Sequence, residues 1–315
     1  MKRGVILDGA ALNPGDLSWE GLKSIASFDI YDRTPPECVL SRCMDKEIII
    51  TNKVSLSRDI ISELKCLEYI GVTATGYNII DVEACRDCNI AVTNIPSYST
   101  EAVSQHVFAL LLSITDQIGD YSSSVKRGEW EKSPDFCYYR SPMLSLKGKT
   151  FGVFGLGQIG RKVAEIAKAF SMNVIAYSPH SKAEGIENVD FESLLKRSDI
   201  LSLHAPLTEK TEGIICQSSL DMMKSGAILI NTARGALIDN DAVLASLNTG
   251  KLSWYLSDVF SAEPPRANDT LIHHPRAVFT PHVAWASLDT RQSLLSIAEE
   301  NLKAFIAGKR LNRIV

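Results

Sequence analysis

The run Thr150-Phe151-Gly152-Val153-Phe154-Gly155-Leu156-Gly157-Gln158-Ile159-Gly160 decides the fold. It begins as an apolar, β-like stretch, passes through the pattern GxGxxG, and continues as a helical stretch from Arg161 to Phe170. Strand, glycine turn and helix in that order are the context a dinucleotide-binding fingerprint requires. Gly155 allows the tight turn, and Gly157 lets the backbone approach a pyrophosphate. Gly160 lets the helix pack closely on the strand. The free N–H groups of the first helical turn, at Gln158 and Ile159, face the anion.

Working outward, further β-like runs follow at Asn173–Tyr177, Ile200–His204, Ala227–Asn231, Leu252–Leu256 and Ala277–Thr280. With the strand of the glycine motif they make six, with helices between most of them, which suits a doubly wound dinucleotide domain. Roughly half the chain precedes that domain, and it alternates in the same way. Val5–Leu7, Phe28–Tyr31, Ile48–Ile50, Leu67–Ile70 and Asn89–Val92 read as strands. Leu17–Ser27, Glu37–Met44, Arg58–Leu64 and Asp81–Cys88 read as helices between them. Such alternation implies a second parallel sheet with helices on both faces. The last helix, about Asp289–Ala307, has no strand left to cover in the second sheet and is expected to return to the first domain.

Between the two halves, Ser99-Thr100-Glu101 is expected to cap a helix running to about Ile118. Its apolar set (Val103, Val107, Phe108, Leu110, Leu111, Leu112, Ile114, Ile118) is too broad for one face and asks for burial on more than one side. Gly119 to Gly148 then reads as a long polar connection carrying Tyr121, Trp130, Phe136, Tyr138 and Tyr139. A connection of that length is usually functional or reaches another chain. The two features together predict a homodimer.

Composition limits the alternatives. The 315 residues suffice for two domains with separate cores, and 22% charged residues with mean hydropathy near zero describe an ordinary globular protein. A net charge of −4 makes no electrostatic case for nucleic acid or an anionic membrane. The N-terminus reaches Asp8 too soon for a signal peptide, and no apolar run could span a bilayer. Seven cysteines, an odd number, read as reduced thiols of a cytoplasmic protein. Cys85-Arg86-Asp87-Cys88 spells CxxC without a second ligand pair, so no metal site is expected there.

Ligands of such sheets bind outside the carboxyl ends of the strands. There the sequence places Ala205-Pro206-Leu207, Thr232-Ala233-Arg234-Gly235, Asp258 with Glu263-Pro264, and Pro281-His282. An arginine, a carboxylate and a histidine thus reach the cofactor edge from three strands. They suit hydride reduction of a ketone, in which a proton must reach the oxygen as charge develops on it. Histidine titrates near the working pH, and a carboxylate on its other nitrogen fixes the tautomer and favours the charged ring. Arginine offers a planar fork to a carboxylate. His282 is therefore assigned as acid/base, Glu263 as its orienting partner and Arg234 as substrate anchor. Thr75-Gly76, just past a strand of the first sheet, could present backbone N–H groups to an anion or simply turn the chain.

These segments also resemble a known family. Asn231-Thr232-Ala233-Arg234-Gly235, Asp258-Val259-Phe260-Ser261-Ala262-Glu263-Pro264 and Thr280-Pro281-His282-Val283-Ala284 are similar to the signatures of D-isomer-specific 2-hydroxyacid dehydrogenases. So are Ser198–Leu207 and the glycine motif. The resemblance implies two Rossmann-like, doubly wound parallel-sheet α/β domains, the cofactor domain (100–286) inserted into a split flavodoxin-like substrate domain (1–99 and 287–315). It also implies an interdomain active site, a homodimer, and the catalytic set Arg234, Glu263 and His282. The nicotinamide carboxamide falls to Asp258, and the substrate carboxylate to Thr75 and Gly76 with Arg234 and His282. Cofactor contacts extend over Ser178, Ala205, Pro206, Thr232, Ala233 and Ala284.

Within the family, Ala74–Asn78, Ser133–Cys137 and His282–Ala286 look like the glycerate dehydrogenase (hydroxypyruvate reductase) branch. That implies reduction of hydroxypyruvate to D-glycerate, with glyoxylate as a second candidate and another small 2-keto acid as the alternative. A formate dehydrogenase would carry glutamine where this chain has Glu263. A non-catalytic, dinucleotide-sensing corepressor on the same scaffold is a third reading, opposed by the intact Arg–Glu–His set. One departure concerns the cofactor. Ser178 stands where the family often has aspartate to bind the adenine ribose, which removes a repulsion against a 2′-phosphate. His180, Ser181 or Lys182 could meet such a phosphate, so NAD and NADP both remain open.

Overall fold

The computed structural model describes residues 1–315, which divide into two compact units, Met1–Tyr98 with Ala286–Val315, and Ser99–Trp285.

The first unit holds β1 (Arg3–Ile6), β2 (Ser27–Ile30), β3 (Ile48–Thr51), β4 (Tyr69–Val72) and β5 (Ala91–Thr93). They form one parallel sheet in the order β2-β1-β3-β4-β5, a doubly wound, flavodoxin-like arrangement. Every residue of β3, β4 and β5 is buried, as expected of strands covered on both faces, whereas edge strand β2 alternates exposed and half-buried. The final helix, Leu288–Ile306, lies in this unit and packs against β4. The helix read at Leu17–Ser27 shrinks to one turn, Glu20–Lys23. Asn13 Oδ1 accepts the amides of Gly15 and Leu17 at 3.0 and 2.9 Å, giving the backbone a loop in place of a helical start. Glu37–Met44 divides into a 3₁₀ turn, Pro36–Cys38, and a short helix, Val39–Cys43.

The second unit holds β6 (Thr150–Phe154), β7 (Asn173–Tyr177), β8 (Glu187–Asn188), β9 (Ile200–Leu203), β10 (Ala227–Asn231), β11 (Leu252–Ser257) and β12 (Ala277–Phe279). Their order is β12-β11-β10-β9-β6-β7-β8, all parallel, so the winding reverses between β6 and β9. That reversal is the switch point where such sheets bind dinucleotides. The sheet separates two cores. Leu201, Leu203, Leu229 and Tyr255 pack on one face, and Phe151, Val153, Ile228, Ile230 and Leu256 on the other.

Two expectations about the linking segment need correction. The helix that follows Ser99 spans Thr100–Thr115, and the Ser99 side chain makes no capping bond. It ends because Gln117 turns into the left-handed region (φ 51°), after which a separate helix, Ile118–Lys126, occupies the start of the supposed loop. The first helix buries Val107, Phe108, Leu110, Leu111 and Ile114 in the second core of its own unit, beside helix Gln158–Ala169. Its wide apolar stripe is thus largely satisfied within the chain, and only Ile118, past its end, stays 70% exposed.

Candidate active site

The turn after β6 has the shape its glycines suggested. Gly155 lies at φ 101°, and a Cβ there would fall 2.8 Å from the Ala205 amide nitrogen. A Cβ at Gly160 would fall 2.0 Å from the Gly155 carbonyl oxygen, which is the close helix–strand contact that requires glycine. Gly157 is different: a Cβ there would meet nothing within 4 Å. It precedes the 12-residue helix Gln158–Ala169 with no side-chain cap, leaving the first-turn N–H groups open to an anion. The Thr232 hydroxyl at the end of β10 is buried without a hydrogen-bond partner. An open amide cradle at the switch point and an orphaned buried hydroxyl farther along the same edge fit a dinucleotide.

Beyond β7, Ser178 is buried, and its hydroxyl meets that of Ser181 at 2.8 Å. Ser181 Oγ in turn donates to the Leu156 carbonyl at 3.0 Å. Arg161 ties the same loop down, donating to the carbonyls of Leu156 and Lys182 at 3.1 and 2.8 Å. The loop therefore presents hydroxyls where a ribose-binding carboxylate would otherwise stand. His204, following β9, bonds Ser202 at 2.8 Å. The residue keeps some surface, but its ring is enclosed, and burial pushes its pKa down to about 3.

The other strand ends gather the chemistry. Asn231, Ser257 and Phe279 close β10, β11 and β12 in register, so the loops after them leave one edge together. His282 Nδ1 lies 2.6 Å from Glu263 Oε2, while Glu263 Oε1 accepts the Phe260 amide at 2.9 Å. The carboxylate can only accept from a neutral ring, so Nδ1 carries the proton and Nε2 is left for a reactant. Arg234 sits in the adjoining loop, and a Cβ on Gly235 would fall 2.0 Å from the Phe260 carbonyl carbon. Only glycine permits this approach, which seats the Arg234 loop against the Glu263 loop. The Arg234 side chain is exposed and donates only to the Ala233 carbonyl, at 2.7 Å, so most of its fork is available.

Asp258 is 1% exposed and already engaged. It accepts the Thr280 hydroxyl at 2.5 Å and the amides of Val283 and Ala284 at 2.9 and 2.8 Å. A carboxylate offers about four acceptor places, so one remains for a carboxamide. Thr280 and His106, whose Nε2 meets the Thr280 hydroxyl at 2.8 Å, are the site residues that the sequence reading did not single out. His106 is one of several polar residues on its helix, with Glu101, Ser104, Gln105 and Ser113, so no pattern singled it out.

In the first unit, the loop after β4 is held by Asn94, which donates to the Thr75 carbonyl at 2.8 Å, and by Thr75 Oγ1, which donates to the Ile95 carbonyl at 2.8 Å. The Thr75 and Gly76 amides find no acceptor within the protein. Cys85 is buried, its thiol pushed up to about 12 by burial, whereas Cys88 is exposed.

A glycine cradle at a switch point with a carboxylate–histidine pair at the same edge defines a nucleotide-dependent oxidoreductase. The comparisons agree. The D-isomer specific 2-hydroxyacid dehydrogenase NAD binding domain matches residues 108–284. A hydroxypyruvate reductase of Blautia hydrogenotrophica is 39% identical over 98% of both chains. A glycerate dehydrogenase of Methylorubrum extorquens is 39% identical over 90% of both. Among solved structures, an acyclic imino acid reductase in complex with NADPH and D-Arg superposes with a TM-score of 0.86 at 32% identity, covering 99% of this chain and 100% of that one. The chain belongs to the D-isomer specific 2-hydroxyacid dehydrogenases and is an NAD(P)-dependent oxidoreductase of small 2-keto and 2-hydroxy acids. No helix is long and apolar enough to cross a membrane.

Proposed function

We propose that this protein reduces hydroxypyruvate to D-glycerate. The observation that carries the reading is the 2.6 Å bond between Glu263 and His282 on the same sheet edge as the amide cradle. The nicotinamide supplies the hydride when bound. In the reduction His282 enters as the imidazolium, gives its Nε2 proton to the carbonyl oxygen and is left as the neutral Nδ1–H ring, which Glu263 holds with Nε2 directed outward. Arg234 receives the substrate carboxylate with its free fork and polarises the adjoining carbonyl. Asp258 takes the nicotinamide carboxamide on its remaining acceptor place. Ala205, Pro206, Ala233 and Ala284 line the cofactor path, and Ser178 with Ser181 meets the adenine ribose.

The two relatives described above support the substrate, since each is named for hydroxypyruvate or glycerate. A homodimer belongs to this reading. Trp130, Phe136, Tyr139 and Met143 are 53%, 89%, 81% and 53% exposed on the segment that follows helix Ile118–Lys126, and a second copy would cover them. A cytoplasmic location fits the seven free cysteines. The test is a kinetic panel of hydroxypyruvate, glyoxylate, pyruvate and phosphohydroxypyruvate, each with NADH and NADPH. Hydroxypyruvate should give the highest kcat/KM, and a preference for pyruvate would replace the assignment. Light scattering that returned a monomer at micromolar concentration would remove the dimer.

A further inference from the structure

His282 adopts φ 56°, in the left-handed region. A residue with a Cβ is there at a cost of about 1–2 kcal/mol, and such a conformation persists only where its surroundings over-determine it. Four bonds do so here. The His282 amide donates to the Thr280 carbonyl at 3.0 Å, and the Trp285 indole N–H donates to the His282 carbonyl at 3.0 Å. Val283 and Ala284 anchor the following residues on Asp258, at 2.9 and 2.8 Å.

Asp258 is itself oriented from one side. Thr280 Oγ1 lies 2.5 Å from Asp258 Oδ1, and a carboxylate cannot donate, so the single hydroxyl proton points at Asp258. The Thr280 oxygen must then accept at its other contact, His106 Nε2 at 2.8 Å. His106 therefore carries its proton on Nε2. Its distance to Asp258 Oδ1 is 3.6 Å, too long for a direct hydrogen bond, so Thr280 is the link between them. His106 comes from helix Thr100–Thr115, whose neighbouring Val107 is fully buried in the second core. The chain of donors thus runs from a rigid helix into the loop that presents the acid.

We propose that His106, through Thr280 and Asp258, is a positioning residue for the reaction: it fixes the loop that aims His282. This rests on His282 being the proton donor. The helix supplies a fixed point, the Thr280 hydroxyl is held in one rotamer, and Asp258 keeps both oxygens turned toward the loop amides. Without the His106 donor the Thr280–Asp258 pair loses its tie to the helix, and the loop loses definition while substrate and cofactor contacts remain.

The experiment compares His106→Leu with His106→Gln, which keeps an N–H donor at the reach of Nε2. His106→Leu should lower kcat about tenfold with KM for the keto acid and for the cofactor each within about twofold, and His106→Gln should recover most of that loss at an unchanged Tm. Equal kcat in the two variants, or a loss confined to KM, would overturn the proposal. Thr280→Val against Thr280→Ser repeats the test one link along, should the helix variants fold poorly. Nitrogen-15 shifts of the His106 ring separate this idea from the proposed activity. A proton on Nδ1 alone sinks the relay whatever the enzyme turns over. A proton on Nε2 in a protein inactive on every keto acid upholds the relay's structure and sinks only the catalytic reading.

Discussion

Two histidines leave the same sheet edge of the second unit and meet opposite surroundings. His204 follows β9 with its ring enclosed and a serine hydroxyl as partner, and burial pushes it down to about 3. His282 follows β12, keeps part of its ring at the surface, and holds a carboxylate 2.6 Å from Nδ1. Placement at a strand's carboxyl end makes a residue available to a ligand, but its immediate partner decides what it can do. An enclosed imidazole without a counter-charge stays neutral at any ordinary pH and serves packing. A carboxylate-bonded one is held in a single tautomer, with its other nitrogen left for a reactant.

The contrast can be broken most directly by His282→Ala, which should lower kcat by about a thousandfold, the scale of a lost general acid; a kcat near the wild-type value would remove the proton-donor role. Arg234→Lys keeps the charge but loses the fork, and kcat/KM for the keto acid should fall about a hundredfold while cofactor affinity survives. The reverse pattern would move Arg234 away from the substrate. Glu263→Gln leaves a neutral partner on the ring and should lower kcat about tenfold, with KM little changed. Unaltered turnover would mean that the carboxylate only braces the loop.

His204→Asn has the smallest expected effect on turnover and a separate signature in stability. The native ring titrates at about 3, well below the unfolded value near 6.5. The unfolded chain therefore binds the extra proton first as the pH falls. The stability contributed by the neutral ring is complete above about pH 6.5 and is lost progressively toward pH 3, at up to about 1.4 kcal/mol per pH unit. Denaturant titrations at pH 7, 5.5 and 4.5 should show wild type losing more stability than His204→Asn, and parallel losses would refute the assignment.

Much of this was legible because chemistry and topology share a period. Strand ends in a doubly wound sheet can be read from apolar runs, and Arg234, Glu263 and His282 each follow one within a few residues. The misses have local causes. β8 is two exposed residues, Glu187 and Asn188, with no apolar alternation to betray it. Helix Ile118–Lys126 contains Gly119 and three consecutive serines, poor helix formers that read as a loop. The break before it depends on Gln117 entering the left-handed region, which no pattern announces. The roles of His106 and Thr280 escaped because they arise from contacts between residues 174 apart in the chain. The apolar width of helix Thr100–Thr115 was seen correctly but does less than expected for the dimer, since its own unit buries most of it.

The left-handed backbone at His282 has one more consequence. Glycine would relax that position, yet it has no imidazole, so under the proposed role of His282 ruggedness and turnover ask for different amino acids at the same place. A lineage selected for heat tolerance cannot gain there without losing its chemistry. Its gains must accumulate at other positions.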